Sequence, residues 1–282
     1  MIKKIHQFGL HIIEKFPVLT PILEKVWKKL PEDYRKSVYV KFAGWGMTTQ
    51  HENAWNDKFS CSVFRQTCID LEKFNFTPST RFTKESIYEH NWRHYFISFS
   101  TLYAIKFAQG HNYNFVECGV ADGVTAFVTL NELSNKLGSN FKMHLYDAWS
   151  AMKKDSLLDS ELQNEGHYFD LSISRTKSNL KEFEQNIIYH EGIIPTIFNQ
   201  LPKSPESIAY LHIDINSAKP TLDVLNFFFP KLVSGGIIIF DDYGWKPYHG
   251  TKNVVDEFFS NKNGILQKLP TGQAIYFHNL IS

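Results

Sequence analysis

Apolar residues in this chain gather into short continuous runs separated by longer stretches of helical spacing. Phe115, Val116 and Cys118, then Met143 to Tyr146, Ile187 to Tyr189, Ile208 to Ile213 and Ile237 to Phe240 are each the length of a strand. Their near-continuous apolar character fits strands buried on both faces of a parallel sheet. Between the runs, Val124 to Leu137, Arg175 to Glu184 and Leu222 to Leu232 space their apolar positions as helices do. Gly138 stops the first of these helices and Gly235-Gly236 the last. A further helix over Thr251 to Phe259 precedes two last strands, Ile265 to Leu269 and Ala274 to Phe277. Pro270-Thr271-Gly272 between them is a turn signal and predicts a terminal antiparallel hairpin. Strands alternating with helices give an α/β fold, a mostly parallel seven-stranded sheet covered on both faces.

Ahead of this region, Ile5, Phe8, Ile12, Ile13 and Phe16, then Ile22, Leu23, Val26 and Leu30, predict two amphipathic helices broken at Pro17 and Pro21. Gly44 to Thr80 is irregular and rich in aromatics, a partly helical cap, and Thr83 to Phe107 carries the broad apolar face of a long helix. The expected organisation is an N-terminal helical cap or oligomerisation region over 1–80 and an α/β domain over 81–282. The stripe along residues 1–30 needs a covering surface. Its own domain or a second copy in a homo-oligomer is the first expectation, and peripheral contact with a membrane the lesser one.

Composition narrows the class. The 282 residues are enough for one large domain and an appendage, and 43% are apolar. Lys and Arg number 30 against 29 Asp and Glu, a net charge of +1 that argues against a general nucleic-acid binder. Cys61, Cys68 and Cys118 form no Cys-x-x-Cys pair, which points to a reducing compartment. No run approaches the roughly 20 apolar residues of a membrane span. His6, His11, Glu14 and Lys15 interrupt any signal-peptide core, so a cytoplasmic protein is expected.

Candidate chemistry begins at Asn114 to Thr125, NFVECGVADGVT. An apolar strand, a glycine turn and a helix bring backbone close to a ligand at the carboxyl edge of a sheet. A dinucleotide turn needs a middle glycine where Ala121 stands, and Asp122 sets a negative charge against any phosphate. Glu117 near the strand end suits a cationic or hydroxyl-bearing ligand instead. Asp147 ends the second strand, where it can accept hydrogen bonds from ribose hydroxyls. Taken alone, the loop also reads as an ordinary tight turn.

Three further carboxylates end two strands: Asp214 on one, Asp241 and Asp242 on the other. If those strands are neighbours, about 4.8 Å apart, the carboxylates converge and repel unless a cation neutralises them. Oxygen donors suit Mg²⁺, Mn²⁺ or Ca²⁺ better than zinc. The alternative is that these residues cap a helix and line a turn.

The loop resembles the first motif of class I S-adenosylmethionine-dependent methyltransferases. LHIDINSAKPTLDVLNFFFPKLVSGGIIIFDDYGW, Leu211 to Trp245, resembles the matching block of the macrocin-type sugar O-methyltransferases, the TylF/MycF-like family. LPTGQAIYF, Leu269 to Phe277, is similar to bacterial relatives found with surface-polysaccharide genes. The similarity covers about Thr83 to Phe277 and implies a Rossmann-like class I methyltransferase fold and methylation of a hydroxyl on a sugar, a glycosylated metabolite or a polysaccharide precursor. It implies S-adenosylmethionine contacts at Glu117, Gly119, Val120, Gly123, Asp147, Ala148, Glu191, Gly192 and Asp214, and a divalent metal, Mg²⁺ first, on Asp214, Asp241 and Asp242. One departure matters: the family's second Asp of an Asp-x-Asp pair, its catalytic base, is Asn216 here. That leaves Asp214, Asn216 and His249 as the catalytic candidates, with His249 the proton acceptor. Two other classes stay open, a nucleotide-dependent oxidoreductase on a related fold and a binding protein that keeps the fold without turnover.

Overall fold

The strand β4, Ile208–Ile213, buries all six of its residues, and it does so because both of its faces are covered by helices. The computed structural model of the chain describes residues 62–74, 76–79, 90–109, 113–245 and 249–279. The helices expected over 1–30 and most of the expected cap lie outside the described residues. Around β4 stand β1 (Asn114–Cys118), β2 (Lys142–Asp147), β3 (Ile187–Glu191), β5 (Leu232–Phe240), β6 (Gly264–Lys268) and β7 (Ala274–His278), in the order β3-β2-β1-β4-β5-β7-β6. The first five are parallel; β7 runs antiparallel to both β5 and β6, as the hairpin signal predicts. After β3 the chain crosses to the far side of β1 to form β4. That reversal opens a crevice at the carboxyl ends of β1 and β4, where open α/β sheets bind ligands.

Alternate residues of each strand feed two cores. Phe115, Met143, Leu145, Tyr210, Ile237 and Ile239 pack beneath α1 (Ser62–Lys73), α2 (Asn91–Phe107) and α3 (Val124–Leu137). Val116, Tyr146, Leu211, Ile213, Ile238 and Phe240 pack against α5 (Ala218–Phe228) and α6 (His249–Phe259). A short α4 (Ile173–Asn179) and a 3₁₀ turn (Lys181–Asn186) stand where one helix over 175–184 was expected. Among the described residues no helix is long and apolar enough to cross a membrane.

Ser62–Lys73, within the expected cap, is the helix α1, and it packs on α2 and α3. A buried carboxylate ties it in: Glu132 of α3 accepts Thr67 Oγ1 of α1 at 2.5 Å and Ser98 Oγ of α2 at 2.6 Å. Further on, the helix expected over 222–232 is α5 at 218–228, and Gly235-Gly236 lies within β5. These glycines answer a packing demand. A β-carbon on Gly235 would stand 2.1 Å from the Phe107 carbonyl oxygen, where β5 crosses the end of α2.

On the second face lies a buried histidine pair, His144 Nδ1 and His190 Nε2 3.0 Å apart, with the Tyr146 ring stacked 4.0 Å from that of His190. Burial lowers His144 to about 3 and His190 to about 4. Both folded values lie below the unfolded value of about 6.5, so as pH falls through 6.5 the unfolded chain takes up protons first and stability is lost down to about pH 4. Between pH 7 and pH 5 the wild type should lose about 4 kcal/mol more than a His144→Gln/His190→Gln variant, about 2 kcal/mol from each histidine. Thermal melts of the two proteins across that range measure the difference.

Candidate active site

The crevice at the carboxyl edge holds a cavity of about 420 Å³, within the size range of small-molecule sites. One wall is the loop after β1. Gly119 sits at φ +88° and the Cys118 carbonyl accepts the Asp214 N–H at 2.8 Å, so the loop is locked against the end of β4. Asp147, ending the adjacent β2, braces the loop from the other side: its Oδ2 accepts the Val120 and Ala121 N–H groups at 2.7 and 2.9 Å, and its Oδ1 the Trp149 N–H at 2.7 Å. Burial pushes the Asp147 carboxyl up, and these three donors pull it back down.

Opposite the loop, Asp214, Asp241 and Asp242 each present a carboxylate oxygen, and these oxygens lie within 4.8 Å of one another. Asp214 directly follows β4 and Asp241 and Asp242 directly follow β5, so parallel neighbours deliver all three to one edge. Arg93, in the first turn of α2, reaches into the cluster: its Nη2 bonds Asp214 Oδ2, and its Nε donates to Asp241 Oδ1 at 3.0 Å. Gln273 Nε2 donates to that same Asp241 oxygen at 2.7 Å, and the Asn216 N–H donates to Asp242 Oδ2 at 2.9 Å. Beneath them the wholly buried His212 imidazole has Nδ1 3.6 Å from Glu117 and Nε2 3.9 Å from Asp241. Burial works to lower its pKa, but those two carboxylates win and hold it at about 9. Burial likewise pushes Asp214 to about 6 against the pull of Arg93, and drives Asp242 well above the carboxylate range beside Asp214 and Asp241. Asp241 goes the other way: burial is outweighed by Arg93, His212 and Gln273, which hold it ionised.

Residues 116–243 match the sequence model of a family described as "Methyltransferase domain". The 3-2-1-4-5-7-6 strand order and the cavity at the β1–β4 reversal agree with that match. Residues 116–243 are a methyltransferase domain. The O-methyltransferase NovP shares the fold at 18% identity and a TM-score of 0.57, over 66% of this chain and 79% of NovP. The calicheamicin methyltransferase CalS11 shares it at 15% identity and a TM-score of 0.55, over 84% of this chain and 99% of CalS11. No curated protein matches the chain by sequence.

Within the methyltransferase domain, Gly119, Val120, Asp147, Ala148, Gly192, Asp214, Asn216, Asp241 and Asp242 all line the one cavity. Three of the expected cofactor contacts stand back from it. Glu117 is fully buried because its place in the strand alternation turns it under α3, where Oε1 accepts Thr125 Oγ1 at 2.6 Å. Gly123 begins α3 with left-handed φ of +92° and faces Leu180 and Thr176. Glu191 ends β3 exposed, opposite Asp147. Asp122, expected to press a negative charge on any phosphate, is instead paired with Arg175 at 2.7 Å and with the Ser79 N–H at 2.6 Å. His249 opens α6, and its side chain lies outside the described residues.

The polar stretch 149–169, whose irregular sequence reads as a lid or substrate loop, supplies the cavity's outer wall with Ser150, Met152, Lys153 and Tyr168. Its anchor is Glu161, 1% exposed, a residue that no sequence motif singles out. Oε2 accepts Ser217 Oγ at 2.7 Å and the Leu158 N–H at 3.0 Å, and Oε1 accepts the Ala218 N–H at 3.1 Å. A carboxylate on the first turn of α5 also meets the positive end of that helix. Glu161→Ala strands three donors and should cost about 2 kcal/mol. Limited proteolysis should then cut within 150–169 several-fold faster than in the wild type.

Proposed function

We propose that this methyltransferase domain moves a methyl group from S-adenosylmethionine to a hydroxyl of a sugar or glycosylated acceptor, with a divalent cation at the carboxylate trio. The observation that carries the reading is the convergence of Asp214, Asp241 and Asp242 within 4.8 Å, in the same cavity as the glycine loop. The likeness of Leu211 to Trp245 to the sugar O-methyltransferases supports it, as does the shared fold of the O-methyltransferase NovP and the calicheamicin methyltransferase CalS11. Trp92, Tyr168 and Trp245 add flat aromatic faces to the cavity wall, surfaces on which the C–H faces of a sugar ring pack well.

The donor set fits a hard cation. Its ligands are carboxylate oxygens, their spacing is within the span of one coordination sphere, and Asp242 sits so far above its ordinary pKa that a further positive charge nearby would relieve it. Asp214, Asp241 and Asp242 would hold the ion, which when bound supplies Lewis acidity and orients acceptor oxygens. S-adenosylmethionine supplies the methyl group on a sulfonium centre.

The chain's own residues do the rest. The Gly119–Ala121 backbone and Asp147 shape the cofactor wall, and Asp147 keeps lone pairs for ribose hydroxyls beyond its three backbone bonds. The lid, pinned by Glu161, excludes water from the reacting atoms, and the remaining work is alignment of oxygen and methyl. Asn216 has an amide that takes no proton at neutral pH; its backbone N–H orients Asp242 instead. His249 takes the hydroxyl proton. It opens α6, whose next residue, Gly250, abuts Leu158, Ala218 and Glu161 at the lid anchor.

Purified protein incubated with S-adenosylmethionine and a panel of nucleotide sugars and glycosides should release S-adenosylhomocysteine with at least one hydroxyl acceptor, and excess chelator should stop it. Full turnover in chelator would remove the cation from the reading. Transfer confined to amine or thiol acceptors would remove the hydroxyl.

A further inference from the structure

Arg93 fits neither the cofactor wall nor a ligand set. Its guanidinium forks between Asp214 and Asp241, two of the three carboxylates whose oxygens converge. A planar fork that bonds both residues fills the space between their inner oxygens, and an ion held by both must lie in that space. A guanidinium and a divalent ion there would also repel each other strongly in a largely buried site.

We propose that Arg93 and the divalent cation are alternative occupants of the Asp214–Asp241–Asp242 cluster, so that loading the ion expels the guanidinium into the cavity. The inference rests on the cation half of the proposed function. Four carboxylates, Glu117, Asp214, Asp241 and Asp242, meet at this end of the sheet, and the Arg93 guanidinium bonds two of them. Arg93 lines the cavity beside Trp92 and has open space to move into. Arg93 thus neutralises the carboxylates when no ion is bound and keeps the cluster folded. The same contact lowers the affinity for the ion, and while it lasts the acceptor's oxygens have no place to bind.

The test needs no turnover. Mn²⁺ binding to the full chain, followed by the electron paramagnetic resonance signal of the free ion, should be tenfold or more tighter in Arg93→Gln than in the wild type, with Arg93→Lys between them. Equal or weaker binding in Arg93→Gln would overturn the proposal. A second measurement uses the unaltered protein: phenylglyoxal modification mapped by mass spectrometry should be slow at Arg93 without ion and several-fold faster with saturating Mg²⁺. A rate at Arg93 that Mg²⁺ leaves unchanged, or slows, would also overturn it. Absence of Mn²⁺ binding in every variant would sink the cation half of the proposed function together with this inference, whereas binding of equal strength would sink the role of Arg93 alone.

Discussion

Gly119→Ala is expected to weaken S-adenosylmethionine binding by a hundredfold or more while the sheet stays folded. A β-carbon there would lie 1.9 Å from the Asp214 carbonyl oxygen and 2.5 Å from its carbonyl carbon, with φ at +88°. Neither neighbour is a flexible side-chain tip, so backbone must move. The move displaces two features together, because the Asp214 N–H bonds the Cys118 carbonyl next to the glycine and the Asp214 carboxylate sits in the carboxylate cluster. Gly138→Ala is the matched control. Gly138 also has positive φ, +62°, but a β-carbon there meets nothing within 4 Å, so only the local backbone preference of about 1 kcal/mol is lost. Calorimetric titration with S-adenosylmethionine, alongside far-ultraviolet circular dichroism, separates the two. A Gly119→Ala protein that binds the cofactor normally would show that the loop is no part of its site.

Asp242→Asn should leave cofactor affinity intact and cut methyl transfer by on the order of a thousandfold, the scale of several kcal/mol of lost charge stabilisation. Asp242 is the carboxylate of the trio that Arg93 does not bond, so its charge is the least compensated of the three. An asparagine keeps the oxygen that accepts the Asn216 N–H and removes only the charge. Rates measured against Mg²⁺ concentration should recover in part at high ion. A variant as fast as the wild type at low Mg²⁺ would exclude Asp242 from the ligand set.

Much of the architecture was legible because it follows from burial on both faces. Ile208–Ile213 reads as an unbroken apolar run since no residue of β4 meets water, and its observed limits are the expected ones. Gly235-Gly236 misled because a glycine pair reads locally as a stop signal, whereas its cause is the approach of Phe107, more than a hundred positions earlier in the chain. The same asymmetry runs through the site. Asp214, Asp241 and Asp242 could be placed from sequence because each ends a strand, and strand ends share an edge. Arg93 and Glu161 could not, since their partners are distant in sequence: Arg93 meets Asp241 across 148 positions and Glu161 meets Ser217 across 56. A faint signal existed for both Arg93 and His212, a charge in the first turn of an aromatic helix and a histidine within a buried strand. Asp122 likewise has a partner that no local pattern announces, Arg175, 53 positions on.

The position of β7 sets a clock on the birth of this enzyme. β7 is the last of the described strands in sequence yet lies between β5 and β6, and the turn before it delivers Gln273 to Asp241 while the Gly272 carbonyl accepts the Gly244 N–H at 2.6 Å. During synthesis, therefore, β5 presents a bare edge, and the Asp241–Asp242 end of the site lacks its brace, until residues 272–278 have left the ribosome. A nascent chain stalled before β7 is an exposed sheet edge seeking a partner.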